Sequence, residues 1–251
     1  MNSLLMEGCV LRRILACVAL VGAVAPVYAA APVSDVQEIV RSAFANVESD
    51  VQRHWRFAEV SNDGEVERVA NFDPTRPEAE RWQLLAIDGE APSPEQQIEF
   101  RKQKREQRER EAKRNGDEVA DPLESIDMTS LQLVAESPSG WDISFQPRGT
   151  GQSEKMMSKM RGSLRISRPQ LCVELLEIAS PGPIKPQIGV KVERFLSRFE
   201  FAAIAQDADR CGRILPTAMQ FEISMRAFGV MAVDRAMSAT YSDYESVTTS
   251  D

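Results

Sequence analysis

The chain has 251 residues, room for one large or two small domains, and its 38 acidic against 30 basic side chains give a formal charge of −8. An acid excess of that size argues against nucleic acid as a partner. One histidine and four cysteines are a poor supply for a zinc site, and any Ser-His-Asp or Cys-His centre would have to use His54.

The first thirty residues read as a secretory signal peptide. Arg12-Arg13 precede an apolar run from Ile14 to Val27, and Tyr28-Ala29-Ala30-Ala31 supply small residues for cleavage. The run is short and interrupted by Pro26, which disfavours a membrane anchor. Cys17 lies too early in that run for a lipobox. Cleavage near Ala29–Ala31 sends residues 31–251 to the periplasm as a single domain, with Cys172 and Cys211 as its cysteines. Two cysteines in an exported chain suggest one disulfide, and two buried thiols are the alternative.

Ser34 to Asp50 predicts a helix. Val36, Ile39, Val40, Ala43, Phe44 and Val47 form one apolar stripe, and Ser34 with Gln37 makes a capping box. One stripe needs one packing surface, which the strands that follow would supply. Trp55, Phe57 and Glu59 alternate with Arg56 and Ala58, Asn62-Asp63-Gly64 turns the chain, and Val66 to Phe72 returns. Trp82 to Ile87 is a third strand whose continuous apolar residues suggest cover on both faces. Ser93-Pro94-Glu95-Gln96 then opens a second helix. From Glu99 to Arg114 it is nearly all charged, so it predicts a solvated arm, a helical insertion at about 94–116. Its functional alternative is a basic contact for an anionic membrane surface or an acidic partner.

Met128 to Ala135 and Trp141 to Phe145 predict another hairpin. Ser153 to Met160 reads as a short helix, and Leu164–Ser167 with Leu171–Ile178 flank a turn at Arg168-Pro169-Gln170. Ser180 to Pro186 is too rich in Pro and Gly for regular structure, so a loop is expected there. Val190 to Ala205 is a long strand with Phe195, Phe199 and Phe201 on one face. In the last hairpin Met219, Phe221, Ile223 and Met225 alternate with polar residues. After Gly229, Met231, Val233, Met237, Ala239 and Tyr241 resume the pattern, with Arg235 as the exception. Nine or ten strands in antiparallel hairpins, with helices near the start and in the middle, predict an α+β chain that is mainly antiparallel β.

No carboxylate pair stands in an apolar setting, and Gly149-Thr150-Gly151 lacks the rest of a phosphate-binding fingerprint, so no catalytic residues, metal ligands or cofactor are assigned. The candidate ligand-binding surface is apolar: Trp55, Phe57, Trp82, Phe199, Phe201, Met219, Phe221, Ile223, Met225, Met231 and Val233, with Trp141 and Phe195 able to join. An ordinary core between sheet and helix is the commoner use of such a set. A lipid pocket requires a curved sheet that is incompletely filled.

An export signal, an amphipathic first helix, the Trp55–Phe57 strand, Met160-Arg161-Gly162-Ser163-Leu164-Arg165-Ile166 and a last long hairpin ending at Tyr241–Tyr244 resemble the periplasmic LolA/LolB-like half-barrel proteins. Phe72-Asp73-Pro74-Thr75-Arg76-Pro77, Arg81-Trp82-Gln83-Leu84-Leu85 and Asp88-Gly89 are similar to an uncharacterised branch of that group. The resemblance implies a curved half-barrel sheet with helices packed on the concave side, over an apolar cavity for acyl chains. It implies a non-enzymatic protein that binds lipid or an acylated, lipoprotein-type ligand. The alternative is an interaction or sensor protein with a filled core and no lipid. The family's carrier places an arginine in its cavity, for which Arg53, Arg56 and Arg68 are the candidates here; the charged arm at 99–114 is an addition to the family pattern.

Overall fold

In a computed structural model the described residues are 33–115, 122–149, 153–204, 211–228 and 231–247, all within one compact unit spanning 31–251. The expected leader, residue 116 at the end of the helical insertion, Thr150-Gly151 and Gly229 lie outside them. The strands are β1 Trp55–Asn62, β2 Glu67–Phe72, β3 Trp82–Ile87, β4 Ile126–Ser137, β5 Gly140–Pro147, β6 Arg161–Ser167, β7 Val173–Ala179, β8 Ile184–Gln187, β9 Val190–Ile204, β10 Arg213–Ala227 and β11 Met231–Ser246. They form one antiparallel sheet in the order β3-β2-β1-β11-β10-β9-β7-β6-β5-β4, with β8 added beside β9. The sheet does not close on itself; β3 and β4 are its two ends, and the result is an open half-barrel.

Local chemistry accounts for most turns. Gly64 adopts φ +93° between β1 and β2, and its N–H donates to the Asn62 side chain at 2.7 Å. Asp63 accepts from the N–H groups of Glu65 and Val66 and from Arg68 at 2.6 Å. Gly162 faces Phe145 across the β5–β6 ladder, where a Cβ would stand 2.3 Å from the ring. The glycine there makes room for an aromatic side chain rather than for a turn.

Register shows which side chains share a face. Leu84 pairs with Ala70, Ala70 with Glu59, and Glu59 with Tyr241. Two residues before Tyr241, Ala239 pairs with Met219, then the row continues through Phe199, Leu176, Leu164 and Ile143. One face thus runs from β3 to β5, and both long helices pack on it. Helix α1, Val33–Phe44, buries Val36, Val40, Ala43 and Phe44 against Ile126, Leu131, Ile143, Leu164, Ile166 and Val173. Each such buried Val, Leu, Ile or Phe side chain contributes about 1.5–3 kcal/mol. Gln37 donates to the Met128 carbonyl at 3.0 Å rather than serving a cap, since the helix already begins at Val33. The expected helix also ends earlier than Asp50. Val47 bridges to Ile214, and a single turn, α2 (Val51–His54), leads into β1. Cys172 and Cys211 form the disulfide, with Cα atoms 5.4 Å apart, at the edge of this core.

Four further expectations are corrected. β3 is covered on one face only: Leu84 is buried and Leu85 exposed. The Pro-rich segment contains β8, where Pro186 is tolerated because β8 hydrogen-bonds on one side, to β9. The charged helix α3, Pro94–Asn115, is not a free arm. Its capping box forms as read, with Ser93 N–H on Gln96 at 2.7 Å and Gln96 N–H on Ser93 Oγ at 3.3 Å. Its first half then docks: Phe100 is 6% exposed among Ala70, Leu84, Trp82 and Ile87, and Gln97 donates to the Leu84 carbonyl. The short helix expected at 153–160 is one turn, α4, Glu154–Met157.

Candidate functional site

Between α3, the turn at 78–80 and strands β1, β2, β3, β10 and β11 lies a cavity of about 700 Å³. Its floor is aromatic because β1 and β2 place Phe57 opposite Phe72, and β2 and β3 place Phe72 opposite Trp82. The ring centroids are 5.2 Å apart for Phe57–Phe72, 5.0 Å for Phe72–Trp82 and 5.8 Å for Phe57–Trp82. Tyr241 stands edge-on to Phe57 at 5.9 Å, and Met219 completes the floor.

The roof is cationic. Ile98, Arg101, Lys102, Lys104, Arg105 and Arg108 of α3 line it, and Arg81 joins from the start of β3. Lys104 carries the helix onto the sheet. Its ammonium lies 2.7 Å from Glu59 and 4.0 Å from the centre of the Trp82 ring, with the two charged side chains 17% and 7% exposed. The ring offers its negative face to a cation that the carboxylate already neutralises. Arg108 pairs with Glu78 at 3.1 Å. Both carboxylates lining the cavity are therefore engaged, while Arg81 and Arg101 have no carboxylate partner among the described residues. An aromatic floor beneath surplus positive charge suits an amphipathic ligand, with apolar body below and anionic group above.

The candidate apolar residues are only partly brought together. Phe57, Trp82 and Met219 line the cavity, and Phe199 is half-buried beside Met219 in the ladder. Trp55 is buried elsewhere, edge-on to Tyr244 at 6.2 Å and with its indole N–H 3.5 Å from Glu48. Phe201 packs on the α1 core. Phe221, Ile223 and Met225 pack with Phe195, Met160 and Val192 under α4. Val233 is half-buried opposite Met225, and Met231, opposite Ala227 on the same face, is exposed at the end of the sheet. The candidate arginines are also placed elsewhere. Arg56 pairs with Asp73 and Glu245, Arg68 with Asp63, and Arg53 is exposed.

The residues that sequence reasoning passed over are Glu59, Phe72, Arg81, Lys104 and Tyr241. The signal for Lys104 was available: it stands one turn after Phe100, the last large apolar residue of α3, and so on the same side. Glu59 stood in phase with Trp55 and Phe57, a carboxylate on an apolar face that required a partner. Nearby, burial pushes the Tyr244 phenol well above its usual range, with Tyr241 and Glu59 adding to the shift, and its O–H donates to the Pro216 carbonyl at 2.6 Å. His54 is half exposed, 3.6 Å from Glu48. Among the described residues no group of three His, Cys, Asp or Glu could hold a metal ion. Comparison of this chain with known protein families, with curated proteins and with solved structures found no match.

Proposed function

We propose that this is an exported, periplasmic, non-enzymatic binding protein for a lipid or an acylated ligand, as its sequence resemblance to LolA/LolB-like half-barrels implies. The observation that carries the reading is the cavity under α3, whose floor is Phe57, Phe72, Trp82, Tyr241 and Met219 and whose roof is α3's basic side. Its size falls in the range of small-molecule sites, roughly 300–1,000 Å³. Export is supported by the leader pattern and by the Cys172–Cys211 pair, since a disulfide persists in an oxidising compartment.

The test is lipid extraction and native mass spectrometry of protein purified from the periplasm, beside the Trp82→Ala and Arg101→Gln variants. Wild type is expected to carry an acyl lipid, and a fluorescent fatty acid should bind about tenfold more weakly to Trp82→Ala, which loses most of one wall. Arg101→Gln should weaken binding by several-fold for an anionic probe and leave an uncharged one unaffected. Empty wild type that also fails to bind the fatty acid would overturn the reading and leave an interaction protein.

A further inference from the structure

A second surface, away from the cavity, stands at one end of the sheet. The ladder pairs Ala227 with Val190, so the turn after β8 and the chain leaving β10 emerge side by side. They are tied together: the Phe228 N–H donates to the Gly189 carbonyl at 2.6 Å. Gly189 has φ +79°, and a Cβ there would stand 2.8 Å from the Phe228 ring, so the glycine lets the ring lie against the turn. Phe228 itself sits at φ +52°, an uncommon conformation for a bulky side chain. The side chains so presented are apolar and bare: Ile188 is 100% exposed, Phe228 75% and Met231 61%. Isolated exposed apolar residues are ordinary on protein surfaces, but three at one tip on two fastened turns are not.

The charge around them is one-sided. Residues 184–192 and 225–233 contain Lys185, Lys191 and Arg226 and no aspartate or glutamate. Lys191 and Arg226 are ladder partners, so two cations share one side of the sheet. Lys159 adds a fourth, its ammonium donating to the Lys185 carbonyl at 2.8 Å. Of the flanking carboxylates, Glu193 is paired with Lys191 and Asp234 accepts from Ser224, while Glu154 begins the neighbouring α4. In a chain of net charge −8 this end carries a local excess of positive charge, as α3 does elsewhere.

We propose that this tip docks the protein on an anionic lipid bilayer. Ile188 and Phe228 enter the head-group region, and Lys185, Lys191 and Arg226 meet the lipid phosphates. The inference does not rest on the cavity, because docking requires no bound ligand.

The experiment is co-sedimentation of the full chain with vesicles of phosphatidylcholine alone or mixed with phosphatidylglycerol. Wild type should bind the mixed vesicles, release on raising salt, and leave neutral vesicles unoccupied. Ile188→Ser with Phe228→Ser should weaken binding about tenfold or more. Lys185→Gln and Lys191→Gln should each weaken it by about fivefold. Thermal melts of these variants should match wild type, since the side chains changed are exposed or half exposed. Arg101→Gln with Arg105→Gln, on α3, should bind vesicles as wild type does. Wild type that fails to bind, a tip variant that binds undiminished, or vesicle binding lost with the α3 variant would overturn the proposal. So would sedimentation equilibrium showing a wild-type dimer that the Ile188/Phe228 variant dissolves, because the tip would then meet a second copy.

Discussion

Helix α1 closes its end of the sheet with four buried apolar residues set into β4–β7, whereas α3 closes the other end with one phenylalanine and one lysine. Both helices lie on the same face, and the difference is in what they leave beneath them. An apolar stripe interdigitates with the strand side chains and leaves no room for solvent. A helix charged on nearly every side can approach only where an opposite charge or a ring receives it, so α3 stands over a cavity of about 700 Å³. Coverage of an apolar face is thus a property of the helix placed on it. The same sheet offers a sealed core at one end and a ligand-sized space at the other.

The contrast breaks most readily at the sealed end. Leu164→Ala, at a site 1% exposed, should cost about 2–5 kcal/mol in urea denaturation, because the cavity it opens has rigid walls. A cost below the cost of Phe100→Ala would show that the α1 end is the looser one.

Phe100→Ala should cost less, about 1.5–3 kcal/mol, the value of withdrawing one ring from a small cluster. Its signature should be local. Amide exchange should accelerate by an order of magnitude or more through α3 while β5–β7 keep their protection. Uniform acceleration across the sheet would mean that α3 and the sheet unfold as one unit.

The Glu59–Lys104 pair sharpens the comparison further. Glu59→Gln leaves an ammonium facing an amide in a mostly enclosed place and should cost about 1–2 kcal/mol. Adding Lys104→Met should recover part of that loss, and a double-mutant cycle should give a coupling of roughly 0.5–2 kcal/mol. Strict additivity would reduce the pair to a surface contact.

The smallest effect belongs to the β1–β2 turn. The hydrogen bond from Arg68, joined by those from the Val66 and Glu65 N–H groups and by the Arg68 charge, holds the Asp63 carboxyl below its usual range against the desolvation that raises it. A carboxyl whose folded pKa is depressed adds stability above its unfolded pKa and loses it as the pH falls through the folded value. Asp63→Asn should therefore cost at most about 0.5 kcal/mol at neutral pH and flatten the acid limb of the stability profile, since the site is largely exposed. A variant whose acid limb matches wild type would show that the turn hydrogen bonds act without regard to charge.

Much of this architecture was legible in contiguous residues. Period-two alternation in Met219–Met225 and Trp55–Glu59, the turns at Asn62-Asp63-Gly64 and Ser137–Gly140, and the Ser93/Gln96 capping box are all encoded within a few positions of one another. β8 was missed because a Pro-containing segment reads as loop unless an edge position is known to await it. The docking of α3 was missed because its averaged polarity hides one phenylalanine and one lysine a turn apart.

By itself the sequence determined the strands other than β8, the turns between hairpin partners, the one-faced apolar pattern and a cysteine pair, since these follow from local sterics, side-chain period and composition. Only the tertiary structure decided that β11 enters between β1 and β10, pairing Glu245 with Arg56, and that α1 and α3 divide one face between them. It also decided that Met231 stands exposed at the end of the sheet and that Glu59 meets Lys104 above Trp82. Those outcomes join residues far apart in the chain, and alternation states which side of a strand is apolar without stating which helix comes to cover it.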